Sequence, residues 1–319
     1  MNIFITGGCG FIGSHLAEFH LNQGDKVHII DNLSTGTLDN ISSFNKKPEF
    51  KFFQADILTW PGLVKAIEWS DRIYHFAAIV GMFKAISEPL SIVSTNIIGC
   101  NHLFHEIAKT KSRPLVILPS SSSVYGDNPS HLLKETDNLR VKSLPHPLAT
   151  YAISKLSDES IALAYYQSAK IPVIIARLFN TIGPRQTGRY GMVVPRFVHQ
   201  ALHHEPFTIY GDGTQTRSFC DVRDIVSALN LLAKSPKAVG EIINVGNDIE
   251  ISINELADLI SKCIGYSVPV HFIPYKEAYG VEFTDITQRR PDLKKLLQLT
   301  SFKHQWTLKR TINDLLSHG

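Results

Sequence analysis

Residues 1–31 read MNIFITGGCGFIGSHLAEFHLNQGDKVHIID, and the reading of this stretch decides the fold. Residues 2–6 contain the apolar run Ile3-Phe4-Ile5, of the length a buried parallel strand has. Gly7, Gly10 and Gly13 follow at intervals of three. Residues 14–23 then carry Leu16, Ala17, Phe19 and His20 at helical spacing, with Gly24 placed to end the helix. A second apolar run, 27–30, delivers Asp31. Strand, glycine turn, helix, strand, acid is a dinucleotide-binding unit. Its glycines let the backbone turn tightly and come close to a pyrophosphate, and the helix N-terminus offers that group free N–H donors and positive dipole. Asp31, 18 residues past Gly13, can accept from ribose hydroxyls, which favours NAD over its 2′-phosphorylated form. Glycines alone are weak evidence, because ordinary turns use them too. Here the strand before, the helix after and the acid beyond make the case.

The bulk composition narrows the chemistry. A chain of 319 residues can bury roughly three quarters of its unfolded surface, enough for a full core and two lobes. Its 44% hydrophobic and 19% charged residues suit a globular protein rather than a disordered or fibrous one. Net charge is +3 with Lys and Arg scattered, which gives no support to nucleic-acid binding. Cys9, Cys100, Cys220 and Cys263 are far apart and suit reduced thiols better than a disulfide frame or a zinc site. A strand beginning at residue 2 leaves no room for a secretory leader. The longest apolar stretches, such as 74–83, reach about half a membrane span. The expectation is therefore a cytoplasmic protein without a membrane segment.

Strands and helices alternate through the first half, the sign of a parallel sheet with helices on both faces. Further strands are expected at 50–53, 72–76, 115–118, 173–176 and 242–245, with long helices at 87–109 and 147–169. Beyond Arg177 the rhythm changes. Residues 180–190 read as a loop, 193–204 as helix, 208–219 as a strand and glycine turn, 221–233 and 254–263 as helices. The expected architecture is a doubly wound α/β fold of the Rossmann type. Residues 1–178 and about 207–247 would form the cofactor domain. About 179–206 and 248–319 would form a smaller, interleaved substrate lobe.

The sharpest chemical signal is Tyr151-Ala152-Ile153-Ser154-Lys155. Tyr and Lys at i and i+4 share one helix face. A phenol, with its ordinary pKa of about 10, is a poor base at neutral pH. A neighbouring ammonium and a cationic nicotinamide would stabilise the phenolate. The fifth strand empties into Ser120-Ser121-Ser122-Ser123-Val124-Tyr125-Gly126, which supplies hydroxyls near the same place. Fourteen histidines include the pairs His102/His105 and His203/His204. Adjacent histidines diverge on a helix and the first pair lacks a third ligand, so no metal site is expected.

Taken together the chain resembles the extended short-chain dehydrogenases/reductases, in the branch of NAD-dependent nucleotide-sugar epimerases and dehydratases. The likeness runs over almost the whole length. It rests on Thr6-Gly7-Gly8-Cys9-Gly10-Phe11-Ile12-Gly13, Asp31-Asn32-Leu33-Ser34, Ala55-Asp56, His75-Phe76-Ala77-Ala78, Asn96-Ile97-Ile98-Gly99, the serine run and Tyr151 with Lys155. Later come Asn180-Thr181-Ile182-Gly183-Pro184-Arg185 and the stretch GDGTQTRSF at 211–219. The resemblance implies an NAD site built by Gly7, Gly10, Phe11, Ile12, Gly13, Asp31, Asn32, Asp56, Ile57, Ala77 and Asn96, with Tyr151 and Lys155. Asp56 would accept from the adenine amino group beside Ile57, and Lys155 would hold the nicotinamide ribose. Ser121, Tyr151 and Lys155 would be catalytic. Ser122, Asn180, Arg185, Arg217 and either Arg289 or Arg290 would meet the nucleotide sugar. Cys9, inside the glycine turn, has no assigned task. Helices 87–109 and 147–169 would form a homodimer.

Departures from the family pattern bear on the reaction. Thr150 stands where relatives commonly have proline, which alters a turn and not the chemistry. The 4,6-dehydratases place an Asp-Glu pair where this chain has Ser122-Ser123, and related decarboxylases keep a Glu at position 123. Eliminating water needs a positioned acid and base, and hydroxyls argue against it. Arg185 points the other way, because its motif resembles that of UDP-glucuronate decarboxylases, where such an arginine can meet a sugar carboxylate; a phosphate or loop contact is its plainer reading. The resulting expectation is a UDP-hexose 4-epimerase (glucose, N-acetylglucosamine or glucuronate type) that holds NAD and passes through a 4-keto sugar. The alternatives are a UDP-glucuronate decarboxylase or 4,6-dehydratase, and, in another class, a catalytically silent NAD-binding regulator.

Overall fold

The computed structural model describes residues 1–128, 130, 132–141, 147–188, 191–280 and 286–318. The last two residues of the loop expected at 180–190 lie outside them. The first half runs β1 (Asn2–Thr6), α1 (Phe11–Asn22), β2 (Lys26–Asp31), β3 (Phe50–Gln54), α2 (Leu63–Trp69), β4 (Arg72–His75), α3 (Met82–Ser87), α4 (Pro89–Ile92), α5 (Gly99–Lys109) and β5 (Leu115–Ser121). Next come α6 (Pro147–Ala169), β6 (Val173–Leu178), β7 (Thr181–Ile182), α7 (Val193–Leu202), β8 (Phe207–Tyr210), β9 (Thr216–Ser218), β10 (Cys220–Asp221), α8 (Val222–Ala233) and β11 (Ile242–Val245). The chain continues with β12 (Glu250–Ser252), α9 (Ile253–Ile264), β13 (Val270–Ile273), α10 (Tyr275–Tyr279), α11 (Lys294–Leu299) and α12 (Leu308–His318).

Seven strands form one sheet in the order β11-β6-β5-β4-β1-β2-β3, and every neighbouring pair is parallel. This is the Rossmann-type sheet that the alternation of strands and helices predicts. Strand β1 shows why its sequence is apolar throughout: Ile3 and Ile5 enter one core with Leu16 of α1 and Leu229 of α8, whereas Phe4 enters the opposite core with Leu103 of α5. A strand covered on both faces has no polar side. The winding reverses between β1 and β4, and the crevice beyond the carboxyl ends of those two strands is where such sheets bind ligands.

Two corrections to the expected elements bear on the site. The single helix expected at 87–109 is not continuous. Glu88, at φ −137°, separates α3 from α4, with Pro89 at the first position of α4. Residues Val93–Ile98 then form a π-helical stretch before α5. A π turn holds one residue more per turn than an α-helix and occurs chiefly at functional sites. Asn96, 1% exposed, lies in that stretch.

The lobe boundaries also move. Phe207 and Ile209 of β8, expected in the cofactor domain, pack in a third core with Phe197 of α7, Ile260 of α9 and Ile312 of α12, and β8 pairs with β13. Conversely, Leu293, Leu296 and Phe302, expected in the substrate lobe, join the core that covers β1 and β11. A return of the chain to the large lobe carries no local sequence signal. Among the described residues no helix is long and apolar enough to cross a membrane.

Candidate active site

Beyond β1 the chain turns so tightly that only glycine fits. Gly7 has φ +70°, and a Cβ there would stand 2.6 Å from the Phe76 carbonyl carbon. A Cβ on Gly13 would come within 2.2 Å of the Gly7 oxygen. The result is a bare helix N-terminus, with no side chain capping α1, facing a cleft of about 190 Å³. Gly7, Gly10, Phe11, Ile12, Gly13, Asp31, Asn32, Asp56, Ile57 and Ala77 all line it. Asp31 is positioned by its own backbone surroundings: Oδ2 accepts from Cys9 N at 2.9 Å and Oδ1 from Leu33 N at 2.8 Å. Burial raises its pKa above the usual carboxylate value, and these backbone donors pull against the rise. Asn32 Nδ2 donates to Asp56 Oδ2 at 2.9 Å, which links the two residues expected at ribose and adenine. A phosphate-sized cradle, an anion-binding helix end and a carboxylate at the second strand suit a dinucleotide.

A larger cavity of about 450 Å³ adjoins this cleft, and Phe11, Ile12, Phe76, Ala78 and Val80 border both. Ser121, Ser122, Ser123, Tyr151 and Lys155 all line the larger space. The serine run leaves β5 through a short 3₁₀ turn, Ser122–Tyr125, capped by Ser121 Oγ, which accepts from Ser123 N at 3.2 Å. Ser123 Oγ is buried without a hydrogen-bond partner. Tyr151 packs on Ile79, Ala85 and Ile92. Lys155, 4% exposed, donates to Pro119 O at 3.3 Å and to Asp158 Oδ2 at 3.1 Å. Below the serines Glu159 accepts from Ser120 Oγ at 2.5 Å and from both Nε and Nη2 of Arg177 at 2.9 and 2.8 Å. That buried fork fastens α6 to β5 and β6. Its members were not singled out in the sequence, where Glu159 reads as one more helical acid.

The charged residues of the cavity wall all carry the same sign. Arg140, Lys155, Arg196, Arg217 and Arg289 line it, and among the described residues no Asp or Glu does. Asn180 also lines it, with Nδ2 donating to Ser218 O at 3.3 Å. Arg217 Nη1 donates to Thr216 O and Ile286 O, both at 2.8 Å. Of the two candidate C-terminal arginines, Arg289 reaches the cavity, while the Arg290 carbonyl accepts from Leu133 N. Arg196 and Gln215 were missed by sequence reasoning. The Arg196 guanidinium lies 4.0 Å over the Tyr210 ring, and its Nε and Nη1 are buried without a hydrogen-bond partner. Gln215 Nε2 donates to Tyr210 O and Tyr275 Oη, leaving Oε1 buried without one. Burial lowers the Arg196 pKa from the usual arginine value, with Tyr210 and Tyr279 opposing it.

Two expected site residues are placed elsewhere. Arg185 does not reach the cavity: its Nη2 pairs with Glu18 Oε2 at 2.5 Å and Nη1 with Ser14 Oγ at 3.4 Å, both on α1. Its backbone is left-handed, at φ +67°. Asn96 does not line the cleft either. Its Oδ1 accepts from Ile79 N at 2.8 Å, and its Nδ2 donates to Ile79 O at 3.2 Å and to Ser154 Oγ at 3.0 Å. It holds the wall rather than the ligand. Among the described residues no three His, Cys, Asp or Glu side chains gather as a metal site would require.

A sequence profile of the NAD dependent epimerase/dehydratase family matches residues 3–246. The UDP-N-acetyl-alpha-D-glucosaminuronate decarboxylase of Bacillus cytotoxicus is 34% identical over 301 residues, covering 93% of this chain and 91% of that protein. Among solved structures, the UDP-N-acetylglucosamine 4-epimerase of Methanobrevibacter ruminantium M1, in complex with UDP-N-acetylmuramic acid, superimposes with a TM-score of 0.88 at 31% identity, over 99% of this chain and 97% of that one. The UDP-glucuronic acid 4-epimerase of Bacillus cereus, in complex with NAD, gives 0.86 at 30% identity, over 100% and 98%.

Proposed function

The chain belongs to the NAD-dependent epimerase/dehydratase family, and from that premise we propose that it is a UDP-sugar 4-epimerase. The observation that carries the reading is the chemistry of the larger cavity: hydroxyls at Ser121, Ser122 and Ser123, five cations, and no carboxylate among its described lining residues. Dehydration across C5 and C6 needs a base and an acid placed at those carbons, and this wall offers neither. It offers hydroxyls, which orient a sugar without removing a proton from carbon.

NAD held in the glycine cleft would supply reversible hydride-acceptor chemistry at C4 of the sugar. Tyr151 takes the proton from the 4-hydroxyl, Ser121 holds that oxygen, and Lys155 donates to the nicotinamide ribose. Arg217, Asn180 and Arg289 grip the diphosphate while the 4-keto sugar turns about its bond to phosphate, so that C4 presents its other face for the return of hydride and Tyr151 gives its proton back to the 4-oxygen. Arginine forks match phosphate oxygens. Arg196 and Gln215, with Tyr210 and Tyr275, offer two donors, one acceptor and aromatic faces, which suits a uracil ring. With Arg217 and Arg289 on the diphosphate, Arg196 at the base and Lys155 at the nicotinamide ribose, Arg140 is the surplus cation of the lining, and it favours a uronate sugar.

That surplus also supports a second reading, decarboxylation of a UDP-uronate, the activity named for the Bacillus cytotoxicus relative. A 4-keto uronate is a β-keto acid and loses carbon dioxide readily. Products of UDP-glucuronate and UDP-N-acetylglucosaminuronate, weighed by mass spectrometry, separate the readings: an isomer of unchanged mass supports epimerase, and loss of carbon dioxide supports decarboxylase. NAD binding with no turnover of any nucleotide sugar would support a silent regulator. The homodimer expected through helices 87–109 and 147–169 is supported by Leu90 of α4 and by Val93 and Ile98 of the π-helical stretch, which expose 80, 38 and 51% of their surface. Light scattering of Leu90→Asp/Ile98→Asp should report a monomer where the wild type reports a dimer.

A further inference from the structure

The geometry points to Asp158 as a positioning residue for the reaction: a buried carboxylate that keeps Lys155 charged and aimed. This rests on the reading that Lys155 and Tyr151 act together at the sugar C4. Asp158 is 1% exposed, lies one helical turn beyond Lys155, and holds its Nζ at 3.1 Å. It lines neither cavity. A lysine ammonium has three donors. Pro119 O takes one and Asp158 a second, which leaves the third for the cavity that Lys155 lines. Asp158 thus fixes where the remaining N–H points.

The charge argument follows from burial. An ammonium taken out of water is costly unless paired, and the other groups around Lys155 do not pair it. His75 on β4 is buried and held neutral, its pKa pushed down to about 3 by burial and then by Lys155 itself. The Cys100 thiol on α5, beside Asp158, is held protonated by burial and the nearby carboxylate. Glu159 is committed to Ser120 and Arg177. Burial works against the Lys155 charge, yet Asp158 and then Tyr151 hold its pKa above the ordinary lysine value. With Asp158 in place Lys155 stays an ammonium through the alkaline range, and a phenolate at Tyr151 keeps its counter-charge.

Asp158→Asn tests this, since an amide oxygen can still accept from Nζ while the charge is gone. The alkaline limb of kcat/KM should move down by about one to two pH units, within the range by which burial shifts an uncompensated group. Profiles that superimpose after scaling would overturn the proposal, because a structural role lowers the rate without moving the limb. A second readout is independent of turnover: thermal unfolding in the cycle Lys155→Met, Asp158→Leu and both together. Each single variant should be less stable than the double, which buries no lone charge. Additive losses would overturn the pairing. If Asp158→Asn does not fold, a folded double variant supports the proposal and an unfolded one overturns it. Absence of turnover in the wild type with a non-additive cycle would sink the epimerase reading and leave the pair standing.

Discussion

Asn96 Nδ2 donates to Ser154 Oγ at 3.0 Å while the same side chain clamps both backbone groups of Ile79. Ser154 in turn donates to Tyr151 O at 2.8 Å, and Ile79 lines the cofactor cleft and packs on Tyr151. One buried amide therefore ties the cofactor wall to the helix that bears the base.

Asn96→Ala should unsettle both ends of that tie. Stability should drop by about 1–3 kcal/mol, the cost of leaving buried backbone groups unsatisfied, and retained NAD and kcat should fall together. Thermal unfolding, with NAD measured after gel filtration, checks this. Full NAD occupancy and unchanged kcat would show that the clamp positions nothing.

Tyr151→Phe removes one oxygen and leaves the packing on Ile79, Ala85 and Ile92. Loss of a general base costs about 10²–10⁴ in rate, so kcat should fall by that factor with the far-ultraviolet circular dichroism unchanged. Activity within tenfold of the wild type would move the proton transfer to another group.

Two arginines that look alike in the sequence should behave differently. Arg196→Ala deletes buried donors in the cavity and should raise KM about tenfold or more, because hydrogen bonds from charged groups contribute about 1.5–3 kcal/mol. Arg185→Ala breaks a partly exposed ion pair with Glu18. It should leave KM unchanged and cost about 1 kcal/mol of stability or less. Steady-state kinetics with the same substrate separates them, and a KM defect in Arg185→Ala would return that residue to the site.

Stability should fall with acid in a window that His75 helps to set. Its folded pKa is about 3, because it is fully buried and lies near Lys155, against 6.5 in an unfolded chain. Between those values the unfolded state takes up a proton that the folded state refuses. This contribution is present above pH 6.5 and is lost as pH falls towards 3. His15, His20 and His28 are shifted in the same direction, chiefly by burial. His75→Gln should therefore flatten the pH dependence of the unfolding free energy in that window without abolishing it. An unchanged slope would mean that His75 is protonated in the fold.

Much of this was legible because the signals are local. The glycine turn, the acid closing β2 and the Tyr-Lys spacing each lie within a few residues, and periodicity alone gave the parallel sheet. What the sequence hid depends on distance. Nothing in the sequence near Arg185 tells that Glu18 waits on α1, nor does VPRF at 194–197 tell that Arg196 lies over Tyr210. The π turn that carries Asn96 is invisible to a helical periodicity count. Leu293 and Phe302 return to the first core through contacts that only the folded chain defines.

The central claim is inversion at C4 without loss of mass. The direct measurement is to incubate the protein with UDP-glucuronate and NAD and examine the product by mass spectrometry and proton NMR. The account predicts a product of unchanged mass with the C4 hydroxyl inverted, in amounts that vanish in Tyr151→Phe. A UDP-pentose formed with release of carbon dioxide would contradict it.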